Sequence, residues 1–239
     1  MEITRFLSRV MRKSGSYLFS KQQRMMQYYV QNYEKIQLQE NTILYEVRDG
    51  QTIVDSPFSF YKKMISDERF LNYTHIWVID RLENPALQNI DRDNARVKVV
   101  VRQSKQYFYW LLAAKFLVNS STFPNFFIKK EKQIYINTWH GTPLKTMGYN
   151  IPGDPSQSQN VVRNFLMADY LLSANPLITK MYQNDYKLNG IFAGKIIEEG
   201  YPRIDWTVKY GKNNVFKDFD ELNLTFDPSF QSILYCPTW

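Results

Sequence analysis

The stretch Ile134-Tyr-Ile-Asn-Thr-Trp-His-Gly-Thr-Pro-Leu-Lys-Thr-Met-Gly148 starts as a β-type run and breaks at Trp139-His140-Gly141. Beyond Pro143 it resumes with the composition of a helix. Strand, turn, helix is the repeating unit of an open α/β sheet. Such sheets put their chemistry where a strand ends and its loop turns, and His140 stands at that place.

The same alternation runs upstream. Asn41 to Val47 reads as a strand, and Ser56-Pro57 opens a helix through Tyr61, Met64 and Ile65. His75 to Asp80 and Arg96 to Val101 read as buried strands. Ser104 caps a helix through Tyr109 to Ala114, which leads directly into the strand Phe116 to Asn119. The stretch from Ile134 is therefore a fifth strand. Downstream, Asn150 to Ser158 is a polar, exposed connection. A helix over Asn160 to Met167 feeds a strand over Ala168 to Ser173. Asn175-Pro176 starts another helix, as N-cap and first helical residue, running to about Tyr186. Lys195 to Gly200 is a last strand, ending in a Gly200-Tyr-Pro-Arg203 turn. These short cycles predict a parallel sheet with helices on its faces.

At 239 residues and 44% hydrophobic content, the chain can build one large domain or two small ones. Its single cysteine, Cys236, excludes an internal disulfide and a cysteine-rich metal site, and fits a reducing compartment. A net charge of +7 points to an anionic partner. No segment reaches the roughly 18 apolar residues of a spanning helix. The most apolar run, Tyr107 to Val118, is too short and carries Lys115, and no signal-peptide pattern opens the chain. The expected location is the cytoplasm, against a membrane surface. Residues 1–40 read as helical and basic, with Ile3, Phe6, Leu7, Val10 and Met11 at helical spacing. This segment either lies on an anionic bilayer or packs on its own domain with a solvated basic face.

His75 opens an apolar strand and reads as structural. His140 has two readings: a capped structural loop, or a base beside an anion cradle. In the second, the amides of Gly141 and Thr142 near a helix start receive phosphate oxygens, Lys145 adds charge from the first turn, and His140 takes a proton from an attacking hydroxyl. Arg203 is a further anion ligand, or else it pairs with Asp205 or a neighbouring helix end. Asn137 and Asn175 stand at element ends, where capping is the ordinary role, and Asp169 reads as orienting a turn. No His or Cys spacing supports a metal, and there is no Walker loop, no Gly-x-Gly-x-x-Gly and no nucleic-acid-binding motif.

Four motifs occur in order: Trp139-His-Gly-Thr-Pro-Leu-Lys145, Ala168-Asp-Tyr-Leu-Leu-Ser-Ala-Asn-Pro176, Gly200-Tyr-Pro-Arg-Ile-Asp205 and Ile233-Leu-Tyr-Cys-Pro-Thr-Trp239. Together they resemble the CDP-glycerol glycerophosphotransferase family of teichoic acid primases and polymerases. The resemblance implies an α/β fold, a Rossmann-like parallel sheet forming the N-terminal half of a GT-B-like two-domain enzyme. It implies residence at the cytoplasmic face of the bacterial cell membrane, held peripherally by the anionic surface. It implies transfer of glycerol phosphate, or ribitol phosphate, from CDP-glycerol or CDP-ribitol to a lipid-linked glycan or polyol-phosphate acceptor, releasing CMP. No other cofactor, metal or nucleic acid is implied. His140 corresponds to the family's proposed catalytic base, with Asn137, Gly141, Thr142, Lys145 and Arg203 expected around acceptor and phosphate.

Two departures follow. Asn150 stands where the family commonly has an acidic residue, and the chain stops at the motif that opens the family's second domain. The expected organisation is a helical segment (1–40), an acceptor-side domain (41–208), a linker (209–231) and the start of a CDP-alditol-binding domain (232–239). The chain alone is expected to be inactive. Two other readings are a non-catalytic membrane or glycan-binding module, and a GT-B glycosyltransferase using a nucleotide sugar.

Overall fold

The structure, a computed structural model of the 239-residue chain, describes residues 20–206, 208 and 209. The helix expected over residues 1–19, nearly all of the 209–231 linker and the 232–239 run lie outside the described residues. The chain divides into two units, Met1–Arg203 and Ile204–Trp239, and the sheet and its helices belong to the first.

Seven parallel strands form one sheet: β1 Gln39–Glu46, β2 Thr74–Ile79, β3 Val97–Val101, β4 Ala114–Asn119, β5 Ile134–Asn137, β6 Tyr170–Ser173 and β7 Lys195–Glu198. Their order is β3-β2-β1-β4-β5-β6-β7. The order reverses at the β1/β4 junction, the switch point at which open sheets form a crevice outside the carboxyl ends of their strands. The helices are α1 Lys21–Asn32, α2 Asp55–Ser66, α3 Lys105–Ala113, α4 Gln159–Met167 and α5 Pro176–Lys180.

Successive strand side chains point to opposite faces. Leu44, Ile76 and Leu117 join Tyr29 of α1, Phe108 and Leu111 of α3, Phe165 of α4 and Ile178 of α5 in one core. Tyr45, Trp77 and Val118 join Tyr61 of α2, with Ile53, Leu87 and Ile90, in the other. Each such burial contributes about 1.5–3 kcal/mol. With both faces covered, the strands need near-continuous apolar runs. Register aligns these rows: Leu44 lies opposite Ile76 on one side and Leu117 on the other. The same register sets Glu46, Asn119 and Asn137, the last residues of β1, β4 and β5, in a polar row along the carboxyl edge. All three are fully buried.

Helix starts follow the capping residues. Ser104 Oγ accepts from the Tyr107 amide at 3.1 Å, and Asn175 Oδ1 from the Ile178 amide at 3.1 Å. Helix α3 passes into β4 with no loop between Ala113 and Ala114. Three expectations need correction. The first described helix stops at Asn32 instead of running on toward residue 40, because the Tyr33 hydroxyl donates to the Lys129 carbonyl at 3.2 Å and β1 already begins at Gln39. Helix α5 gives way after Lys180 to a wider π turn over Met181–Asp185. Residues 141–147 form no helix. Leu144 is 81% exposed, so this segment has no apolar stripe to bury and nothing to hold it helical.

Candidate active site

Strand β5 delivers the site. Asn137, its last residue, is buried and its amide is spent on the loop framework. Its Oδ1 accepts from the Trp139 amide at 2.9 Å, and its Nδ2 donates to the Ser121 carbonyl at 2.8 Å and to the Tyr135 hydroxyl at 2.9 Å. In this placement the Asn137 side chain supports the loop from beneath. Trp139 then adopts φ 51°, a left-handed conformation that costs a bulky residue of order 1–3 kcal/mol. Burial of the indole against Phe165, with ring centroids 5.1 Å apart, holds it there.

The turn at Trp139 brings His140 to the surface. The imidazole stacks on the indole at 4.1 Å, leaving an outer edge exposed. Desolvation on the packed side lowers the His140 pKa below 6.5; Asp55 opposes the shift, and Arg48 and Arg203 add to it. The ring is neutral at pH 7, the form that accepts a proton.

Loops after three strands meet at this point. Arg203, beyond β7, donates from Nη1 to Asp55 Oδ1 at 2.7 Å and to the His140 carbonyl at 2.9 Å. Its guanidinium lies 4.7 Å over the Tyr201 ring. Asp55 opens α2, beyond β1, so of the two partners expected for Arg203 it is the helix end, not Asp205, that pairs with it. Gly141 faces the same guanidinium: a Cβ there would sit 3.7 Å from Arg203 Nη2. Thr142 is exposed, its hydroxyl 3.4 Å from Asn175 Nδ2. Lys145 is exposed on the irregular loop, so neither it nor the Gly141 and Thr142 amides belong to a helical first turn.

The structure thus brings His140, Gly141 and Arg203 together, keeps Thr142 and Lys145 on the adjoining loop and sets Asn137 below. It adds Asp55 and Arg48. Sequence offered Asp55 only as a residue beside the Ser56-Pro57 helix start, and no spacing ties it to a partner 148 residues away. His75 is buried, with Nδ1 3.1 Å from the Tyr45 hydroxyl, and Asp169 accepts from the Tyr135 amide at 2.7 Å; both read as framework, as the sequence indicates. Among the described residues, no three His, Cys, Asp or Glu side chains converge as metal ligands.

A family model described as CDP-Glycerol:Poly(glycerophosphate) glycerophosphotransferase matches residues 27–239. The chain belongs to this glycerophosphotransferase family. Among its relatives is a teichoic acid poly(glycerol phosphate) polymerase of Staphylococcus epidermidis, 31% identical over 205 residues, which cover 83% of this chain and 27% of that protein. A Bacillus spizizenii polymerase of the same description is 29% identical over 210 residues, covering 84% of this chain and 50% of its own length. The solved wall teichoic acid polymerase TagF with CDPG superposes with a TM-score of 0.76 at 26% identity, over 100% of this chain and 57% of that one. The chain therefore has an α/β, Rossmann-like fold and spans half or less of the length of these curated relatives.

Proposed function

We propose that this glycerophosphotransferase chain carries the acceptor side of an enzyme that moves glycerol phosphate from CDP-glycerol to a lipid-linked polyol phosphate. The observation that carries the reading is His140: a neutral imidazole, its edge exposed at the carboxyl end of the sheet, with Arg203 fixed to its own carbonyl. In the reaction, His140 takes the proton of the acceptor hydroxyl while that oxygen attacks the phosphorus bonded to glycerol. A new P–O bond forms, the P–O bond to CMP breaks, and CMP leaves with the pair. Arg203 and Arg48 balance the phosphate charge. In this reading the donor nucleotide needs the additional length that the relatives possess, and the 239-residue chain alone does not turn over. The positive charge holds the enzyme at the anionic cytoplasmic face of the membrane.

The test is CMP release from CDP-glycerol, with CDP-ribitol as the competing donor, in a protein joining this chain to a relative's remaining domain. His140→Ala lowers release about 10²–10⁴-fold with an unchanged melting profile. Turnover within a few-fold of the parent removes His140 from the chemistry, and turnover by the 239-residue chain alone overturns the division of the site.

A further inference from the structure

We propose that Asp55 is a positioning residue of this site: its buried carboxylate clamps Arg203 against the main chain of His140 and so fixes guanidinium and imidazole for one phosphate. The inference rests on the phosphate-transfer reading for its ligand, but its test uses no transfer, so each can fail alone.

The Asp55 side chain is 6% exposed. A carboxylate so placed is costly unless it is paired and hydrogen-bonded. Oδ1 accepts from the Ser56 amide at 2.6 Å and from Arg203 Nη1 at 2.7 Å, and that same Nη1 reaches the His140 carbonyl at 2.9 Å. One carboxylate oxygen thus links the start of α2 to a loop 148 residues away, and through it to the His140 loop. A local bond to the next amide would explain only the first of these contacts. Asp55 also holds φ 65°, unusual for a non-glycine residue, inside the first turn of a helix whose N-cap position, Val54, gives no side-chain bond. In this conformation the carboxylate meets Arg203.

Two more buried hydroxyls belong to this corner. Ser56 Oγ and the Tyr201 hydroxyl are 0% and 5% exposed by residue, and neither finds a hydrogen-bond partner among the described residues. Both can donate: Ser56 follows Asp55 in the chain, and the Tyr201 ring lies beneath the Arg203 guanidinium.

The charged groups acting on the imidazole are Asp55 from the start of α2, Arg48 from the β1 loop and Arg203 from beyond β7. Asp55 is the anion among them, so neutralising it leaves His140 facing two cations. With two histidines in the chain, imidazole NMR of the 239-residue protein resolves each titration. In Asp55→Asn, the His140 midpoint falls by about half a unit or more, and the slowed guanidinium signal of Arg203 collapses to its solvent-averaged position. In Asp55→Glu the charge remains but the longer arm loses the geometry, so the Arg203 signal is lost with little change at His140. That variant decides the matter if Asp55→Asn does not fold. An unchanged Arg203 signal in either folded variant overturns the clamp, as does a wild-type protein with no slowed Arg203 signal, and an unmoved His140 midpoint in folded Asp55→Asn overturns the coupling.

Discussion

The chain's two histidines show how surroundings decide a role. His75 is fully buried, stacked on Tyr45 and edge-on to Tyr61. Burial, with help from Arg96, lowers its pKa from 6.5 to about 4. The unfolded chain therefore binds a proton in this window that the folded chain refuses. The stability tied to His75 is complete above pH 6.5 and is lost as pH falls toward 4, amounting to about 3 kcal/mol. Denaturant unfolding across that range should show the loss. His75→Phe should flatten the slope and cost about 1–3 kcal/mol at neutral pH, because the Tyr45 hydroxyl is left without its partner. A smaller slope of the same sign should survive in that variant, because the His140 pKa is also lowered on folding. His140 differs in being exposed, where His75 is sealed in the core.

At the scale of the element, the carboxyl edge of the sheet is held by polar side chains where an apolar core would be expected. Glu46 Oε1 accepts from Arg102 Nε at 2.8 Å, and Asn119 Oδ1 from the Ser121 amide at 2.5 Å, while Asn137 holds Trp139. Asn137→Ala orphans the Trp139 amide and the Ser121 carbonyl, and should cost about 2–4 kcal/mol, read as a lower denaturant midpoint. The far end of the loop has its own fixed point. Gly148 has φ 61°, and an added Cβ would meet the main chain of Asp185, its carbonyl carbon at 2.7 Å. Gly148→Ala should cost about 1–3 kcal/mol or more. Gly153→Ala, at φ 110° with nothing within 4 Å, carries the backbone penalty alone and should lose less. The central strands were readable because β2, β4 and the second half of β1 are buried on both faces and so read as near-continuous apolar runs. The segment after Pro143 was not, because helix composition is local, whereas Leu144 at 81% exposure is set by what the fold leaves uncovered.

At the scale of the molecule, chain order and space diverge most where the chemistry gathers. His140 was legible from its own flanks, a strand end and a glycine. Asp55 and Arg48 were not, since their meeting with Arg203 and His140 depends on a sheet that brings the ends of β1, β5 and β7 to one edge. Charge belongs to this scale too. A net +7 should bind the chain to anionic vesicles and not to neutral ones. Cosedimentation should fall as salt rises from about 0.05 to 0.5 M and the Debye length contracts, and salt-independent binding would point to apolar insertion instead. Finally, the stack of His140 on Trp139 at 4.1 Å joins a proton carrier to a fluorophore. An imidazolium quenches a touching indole more strongly than a neutral ring does. The emission lost by the wild-type chain but not by His140→Ala on acidification is therefore an optical meter of the site's protonation, needing no label.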